Sequence, residues 1–434
     1  MKHLPHSDDR TTSSPMRSAR TPSGGALTHA WVASWAASAQ PVWGDDFLFP
    51  TNVPGRLHNQ TVRQMARLSL GGKRLRIVLS NVHGKTPVCI GRATVARSAD
   101  DIRAVTFGGE SAGTMLPGAS LISDPIDMKT EALSLLTISL FLPEPTPLTT
   151  FHWDGRQTGW IVSGDQTQAP QLDMIPPAMS TTARSLLAGI HVERIGTPRS
   201  VVVIGDSITD GATASLDKDT RWPDFLATRL TPHDVAVVNA GISGARLLSD
   251  GMGVNALARL DRDVLSQPGL QAAVVALGIN DIAWPGTAFA RDASLPTLAS
   301  LTAGYRQLIA QLHAHGVRVI GATLAPFEGA LPDSPLDDYF QPEKDALRHQ
   351  LNDWIRHSHA FDAVVDFDAV LRDPAHPARM LAAYDSGDHL HPGDEGLRSM
   401  ADAVDLRALS PELVPEAMPE LRPEAVSPPS RPTP

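Results

Sequence analysis

The chain has 434 residues, 42% of them hydrophobic and 19% charged, with a formal net charge of -10 at pH 7. Such a length holds two or three domains of ordinary size, and such a composition belongs to a globular chain. The negative balance leaves no electrostatic footprint for a nucleic-acid partner, no apolar run nears the ~18 residues of a membrane span, and the single cysteine, Cys89, excludes an internal disulfide and a cysteine-based metal site.

Residues 1–28 are polar, rich in Ser, Thr, Arg, Pro and Gly, with no apolar h-region. They read as a disordered leader and not as a secretory signal, so a cytoplasmic location is the default expectation. From His29 to about Ile195 the pattern is strands and turns. Lys73 to Ser80 alternates polar and apolar residues, the mark of a half-buried strand, and Cys89 to Ser98 and Leu133 to Leu142 repeat it. Asn81 to Gly84, Gly108-Gly109 and Pro117-Gly118 punctuate these runs. Short strands with such turns predict an all-β sandwich over 29–196. Cys89, between Val88 and Ile90, is expected in its core. Five of the eight Trp residues, Trp31, Trp35, Trp43, Trp153 and Trp160, fall in this region. They suit either core and interdomain packing or a sugar-binding platform.

After Ile195 the rhythm becomes strand, loop, helix. Predicted strands are Ser200 to Ile204, Val235 to Asn239, Gln271 to Leu277, Val317 to Leu324 and Ala363 to Phe367. Predicted helices are Trp222 to Leu230, Leu301 to His315 (closed by Gly316), Ala346 to His359 and a last one over Gly393 to Val404. This alternation predicts a doubly wound, flavodoxin-like three-layer α/β domain with a five-stranded parallel sheet over 197–410. The boundary falls near Gly196-Thr197-Pro198. From Pro411 onward the chain is rich in Pro and Glu, and 411–434 reads as a disordered tail.

Four segments fall at the predicted C-terminal ends of these strands or just beyond: Gly205-Asp206-Ser207, Asn239 to Gly244, Gly278 to Asp281, and Asp388 to His391. Parallel strands share one C-terminal edge, so segments distant in sequence can meet there. A serine is a weak nucleophile without a base. His391 can take the Ser207 proton, and Asp388 can hold the imidazole in the right tautomer. The N–H groups of Ser207 and Gly244 and the amide of Asn280 are candidate donors to an oxyanion. Gly205 is expected to let the chain turn sharply into a helix. Each piece also has a plainer reading: Asn280-Asp281 as a helix cap, Gly244 as a turn, and His389 as a competitor for the base role. Their joint order favours a serine hydrolase with catalytic Ser207, Asp388 and His391. Asp206 and Trp284 are the candidate substrate-binding residues, with Ile282 to Ala293 lining the pocket.

These four segments resemble the motifs of the SGNH-hydrolase superfamily, the GDSL esterases and lipases, with Ile208 where the family name has Leu. The resemblance covers roughly residues 199 to 406. Trp31 to Trp35, Gln60 to Gln64 and Leu75 to Asn81 are similar to a two-domain branch with a β-sandwich ahead of the hydrolase domain. Members of that branch are often exported, which this chain's polar leader does not match. Gly393 departs from the Asn that many relatives carry after His-Pro. The resemblance implies hydrolysis of a small-molecule or carbohydrate ester through an acyl-enzyme, with no metal or organic cofactor. A short-acyl, perhaps acetyl, esterase is the reading. A lipase or lysophospholipase, or a carbohydrate-binding protein with a vestigial hydrolase domain, is the alternative.

Overall fold

A computed structural model describes residues 29–410. The leader and tail expected at 1–28 and 411–434 lie outside the described residues.

Residues 29–195 form antiparallel sheets, as the alternating runs predict. One has four strands in the order His29–Ala36, Leu187–Ile195, Leu75–Ser80, Ser120–Ile122. Another has six, in the order Met179–Thr181, Gly159–Ser163, Gln60–Arg67, Leu135–Leu142, Arg92–Ser98, Asp101–Val105. Inward residues of both, among them Val62, Ile77, Leu79, Ile138 and Leu140, share one buried cluster. The run expected as one strand over Cys89 to Ser98 breaks at Gly91 into Val88–Ile90 and Arg92–Ser98. Cys89 departs from its expected core position and is only half-buried. Val88 and Ile90 take the inward face of the pleat, which turns the residue between them to the other side.

Residues 199–365 build the five-stranded parallel sheet, ordered Val235–Gly241, Arg199–Gly205, Leu270–Ala276, Arg318–Ala322, Ala363–Val365. The apolar run Val201 to Ile204 explains the layering. Val202 and Ile204 pack in one cluster with Leu308 and Leu351, from helices Leu298–Ala314 and Pro342–His357. Val201 and Val203 pack in another with Leu226 and Met400, from helices Trp222–Leu230 and Asp394–Ala403. A strand buried on both faces needs no polar alternation. Two expectations need correction. Gly205 does not turn the chain. It is the last residue of its strand and keeps an ordinary φ, and a Cβ there would meet Thr209 Oγ1 at 2.1 Å, so close approach demands glycine. The helix Asp394–Ala403 is not the last, because a short turn at Leu406–Leu409 follows it. No helix among the described residues is long and apolar enough to cross a membrane.

Candidate active site

The strand Arg199–Gly205 runs into a single helical turn, Ser207–Asp210, rather than a full helix. Asp206 is its N-cap, and its carboxylate accepts the Ile208 N–H at 3.0 Å. Ser207 is thereby fixed as the first residue of the turn, where backbone N–H groups have no intrahelical acceptor.

The other three segments converge on it. His391 Nε2 lies 2.8 Å from Ser207 Oγ. His391 Nδ1 lies 2.6 Å from Asp388 Oδ2. The second Asp388 oxygen accepts the N–H groups of Leu390 and His391, so one carboxylate shapes the turn and holds the ring. Burial raises the Asp388 carboxyl, but the His391 ring and these N–H groups outweigh it and hold the group well below the usual carboxylate range. His389, the other candidate, is exposed and pairs with Asp385 at 2.5 Å.

Gly244 follows the strand Val235–Gly241 with φ +72, and a Cβ there would meet Met252 Sδ at 2.7 Å and Trp284 Cζ2 at 2.9 Å. Both the backbone region and the packing therefore require glycine. Asn280 lies on the turn Ile279–Ala283 after the strand Leu270–Ala276. Its Nδ2 donates to Ala245 O at 3.0 Å, which leaves a second amide hydrogen. Its oxygen accepts the Tyr339 hydroxyl at 2.5 Å, and this fixes which end of the amide faces which way. Asp281 is not a helix cap. It accepts the N–H groups of Leu247 and Leu248 at 2.7 and 2.9 Å, pinning the loop that carries Gly244. Burial pushes its carboxyl up to about 6 even so.

Ser207, Gly244, Asn280, Asp388 and His391 all border one open cavity of about 210 Å³. Its walls are aromatic: Phe49, Trp153, Trp284, Phe289 and Tyr339. Trp284 stacks on Phe289 with centroids 4.3 Å apart, and Phe49 stacks on Trp153 at 5.5 Å. Trp284 borders this cavity. Phe49 and Trp153 come from the antiparallel region, so that region reaches the pocket itself. Gln40 helps hold it there, donating to Met252 O and accepting from the Trp153 N–H, both at 2.8 Å. Phe289 lies in the stretch Ile282 to Ala293 expected at the pocket, whereas Phe49, Tyr339 and the role of Asp281 carried no signal. Trp153 was visible only as one of several tryptophans. Among the described residues no group of three or more His, Cys, Asp or Glu could hold a metal ion.

Asp206 does not line this cavity, contrary to its assignment to substrate. It is 3% exposed and is spent on capping the turn. Burial pushes its carboxyl up to about 7. A carboxyl with a raised folded value binds its proton more tightly folded than unfolded, so it subtracts stability as pH rises from about 4 through 7. Asp206→Asn keeps the acceptor for Ile208 and is expected to raise Tm above the wild type at pH 8 but not at pH 4. Thermal unfolding at the two pH values checks this, and an equal difference at both would show that Asp206 ionises in the fold as it does in the open chain.

No curated protein matches the chain. Among solved structures, an acetylxylan esterase from Geobacillus stearothermophilus is 24% identical, with 51% of this chain and 99% of that one aligned at a TM-score of 0.37. An alpha/beta hydrolase from a Lake Arreo metagenome is 22% identical over 50% of this chain and 97% of that one, TM-score 0.35. A GDSL-like lipase from Bacteroides thetaiotaomicron is 19% identical over 48% and 88%, TM-score 0.35. Residues 203–398 match the GDSL-like lipase/acylhydrolase family model and form a domain of that family, which makes the chain a carboxylic ester hydrolase.

Proposed function

We propose that the chain is a serine esterase for short-acyl esters, acetyl esters first. The observation that carries this reading is the unbroken line from Ser207 Oγ to His391 to Asp388, with gaps of 2.8 and 2.6 Å, opening on the aromatic cavity. Ser207 attacks the ester carbonyl as His391 Nε2 takes its proton. Asp388, ionised, keeps the Nδ1 proton in place and stabilises the imidazolium. The tetrahedral oxyanion is held by the Ser207 and Gly244 N–H groups and the free Asn280 amide hydrogen. His391 then protonates the leaving alcohol. Water, deprotonated by the same ring, releases the acid from the acyl-enzyme.

The cavity of about 210 Å³ supports a short acyl group, since pockets for drug-sized ligands run to roughly 300–1,000 Å³. Trp284 borders the acyl group. Residues 197–410 act as the hydrolase domain and 29–196 as an accessory β domain that lends Phe49 and Trp153 to the substrate. The apolar aromatic ridge is also the feature that would favour longer acyl chains, as a lipase requires.

Hydrolysis of p-nitrophenyl esters from acetate to palmitate separates these readings. The expected profile peaks at the shortest chains, and a maximum at long chains would replace the esterase by a lipase. Hydrolysis of no ester would sink both. Trp153→Ala is expected to raise KM by about 10-fold for the preferred ester with kcat nearly kept, the usual size of one lost apolar wall contact. An unchanged KM would remove the β domain from substrate binding.

A further inference from the structure

One buried ionisable pair is not used by the steps above. Asp210 ends the turn that begins with Ser207, and it is 2% exposed. Its Oδ2 accepts both the N–H and the hydroxyl of Ser243, at 3.0 and 2.9 Å. Its Oδ1 accepts from His152 Nε2 at 2.9 Å. His152, 4% exposed, stands on the antiparallel strand Thr150–His152, and its Nδ1 lies 3.0 Å from Ser38 O. A carbonyl oxygen and a carboxylate engaged with two donors can only accept, so both ring nitrogens carry protons. A buried charged pair therefore joins the antiparallel region to the residue just before Gly244.

We propose that His152 is a positioning residue for ester hydrolysis: through Asp210 it fixes the Ser243–Gly244 peptide, and with it the Gly244 N–H, relative to Ser207. The inference rests on the serine-esterase reading. Asp210 grips Ser243 at two points, the N–H of the preceding peptide and the hydroxyl, and the planar peptide that carries the Gly244 N–H starts from the same Ser243 Cα, one ψ rotation away. Gly244 at φ +72 has little torsional resistance of its own. Asp281 pins the far end of the same loop through Leu247 and Leu248, so Asp210 supplies the near anchor. Burial pushes the Asp210 carboxyl up, but His152, Arg221 and the Ser243 hydroxyl outweigh it and hold it below the usual carboxylate range, as suits a carboxylate that accepts three hydrogens.

The test uses the full chain with p-nitrophenyl acetate, and phenylboronic acid as a probe that forms a tetrahedral anion on Ser207. His152→Ala is expected to lower kcat by about 10–100-fold with KM within about 2-fold, and to weaken boronate inhibition by the same factor as kcat. His152→Gln, which keeps one donor, should recover part of both. Ser243→Ala should lose part of each, and its cost should shrink in the His152→Ala background because both act through Asp210. A residue that only braces the two regions would lower Tm and leave kcat and the boronate Ki at wild-type values, and that result overturns the proposal. If His152→Ala does not fold, Ser243→Ala decides, since it leaves the His152–Asp210 pair intact: unchanged kcat and Ki there overturn the proposal. Wild-type hydrolysis abolished by Ser207→Ala alongside unaffected His152 and Ser243 variants would defeat this inference alone. A wild type inactive on every ester would defeat the esterase reading and this inference together.

Discussion

Ser207→Ala is expected to lower kcat for p-nitrophenyl acetate by about 10⁴–10⁶-fold, leaving only what the oxyanion donors and binding supply without a nucleophile. The effect should be on rate and not on stability. The Ser207 side chain makes one hydrogen bond, to a ring nitrogen that faces the cavity, so removing it leaves His391 able to reach water. His391 itself stays anchored by Asp388 at 2.6 Å. The turn is capped by the Asp206 side chain and closed by Gly211 in the left-handed region, φ 89, neither of which needs the serine hydroxyl. Steady-state kinetics beside thermal unfolding checks both halves. His391→Ala should lose a similar factor, and the double variant little more than either single one, because the residues act as a unit. A Ser207→Ala enzyme within ten-fold of the wild type would mean that another group attacks the carbonyl.

What could be read in the sequence was whatever local chemistry dictates. Val201 to Ile204 admits one interpretation, a strand covered on both faces, and its side chains do divide between two cores. Once that strand and its successors were placed, their C-terminal ends drew Ser207, Gly244 and Asn280 to one edge, whereas His391, beyond the helix Phe367–Leu371 and a long loop, was brought in by the Asp-x-x-His pattern alone. Residues that depend on a distant partner were not legible. Nothing near Phe49 or Tyr339 distinguishes a pocket wall from an ordinary core aromatic, since each becomes one only when remote segments meet. Asp206 misled because adjacency to the nucleophile resembles a functional role, whereas an aspartate before a helical turn is satisfied by the backbone. The His152–Asp210 contact spans 58 positions and crosses from the antiparallel to the parallel region, a distance no periodicity reports. Cys89 failed for a simpler reason, the two-residue period of a strand.

Asp388→Asn is expected to lower kcat by about 10⁴-fold while preserving the loop, and the separation of these effects is the point of the substitution. An asparagine can keep the oxygen that accepts the N–H groups of Leu390 and His391. Its NH₂ then faces His391 Nδ1, where the carboxylate oxygen now stands. Two donors cannot share that contact, so Nδ1 must become the acceptor and the ring proton moves to Nε2. A protonated Nε2 cannot take the Ser207 proton, and the base is lost although every residue remains in place. Asp388→Ala removes the backbone anchors as well and should lower Tm more than Asp388→Asn does. The pH dependence has a definite sign. A carboxyl held below its ordinary value stabilises the fold above about pH 3.9, and that contribution fades as acid protonates it. The Tm difference between wild type and Asp388→Asn should therefore be largest near neutral pH and shrink toward strong acid, while the kinetic defect persists wherever the wild type is active. If Asp388→Asn kept more than a tenth of wild-type kcat, His391 would be held in its working tautomer by something other than Asp388, and the base would be a dyad with Ser207 alone.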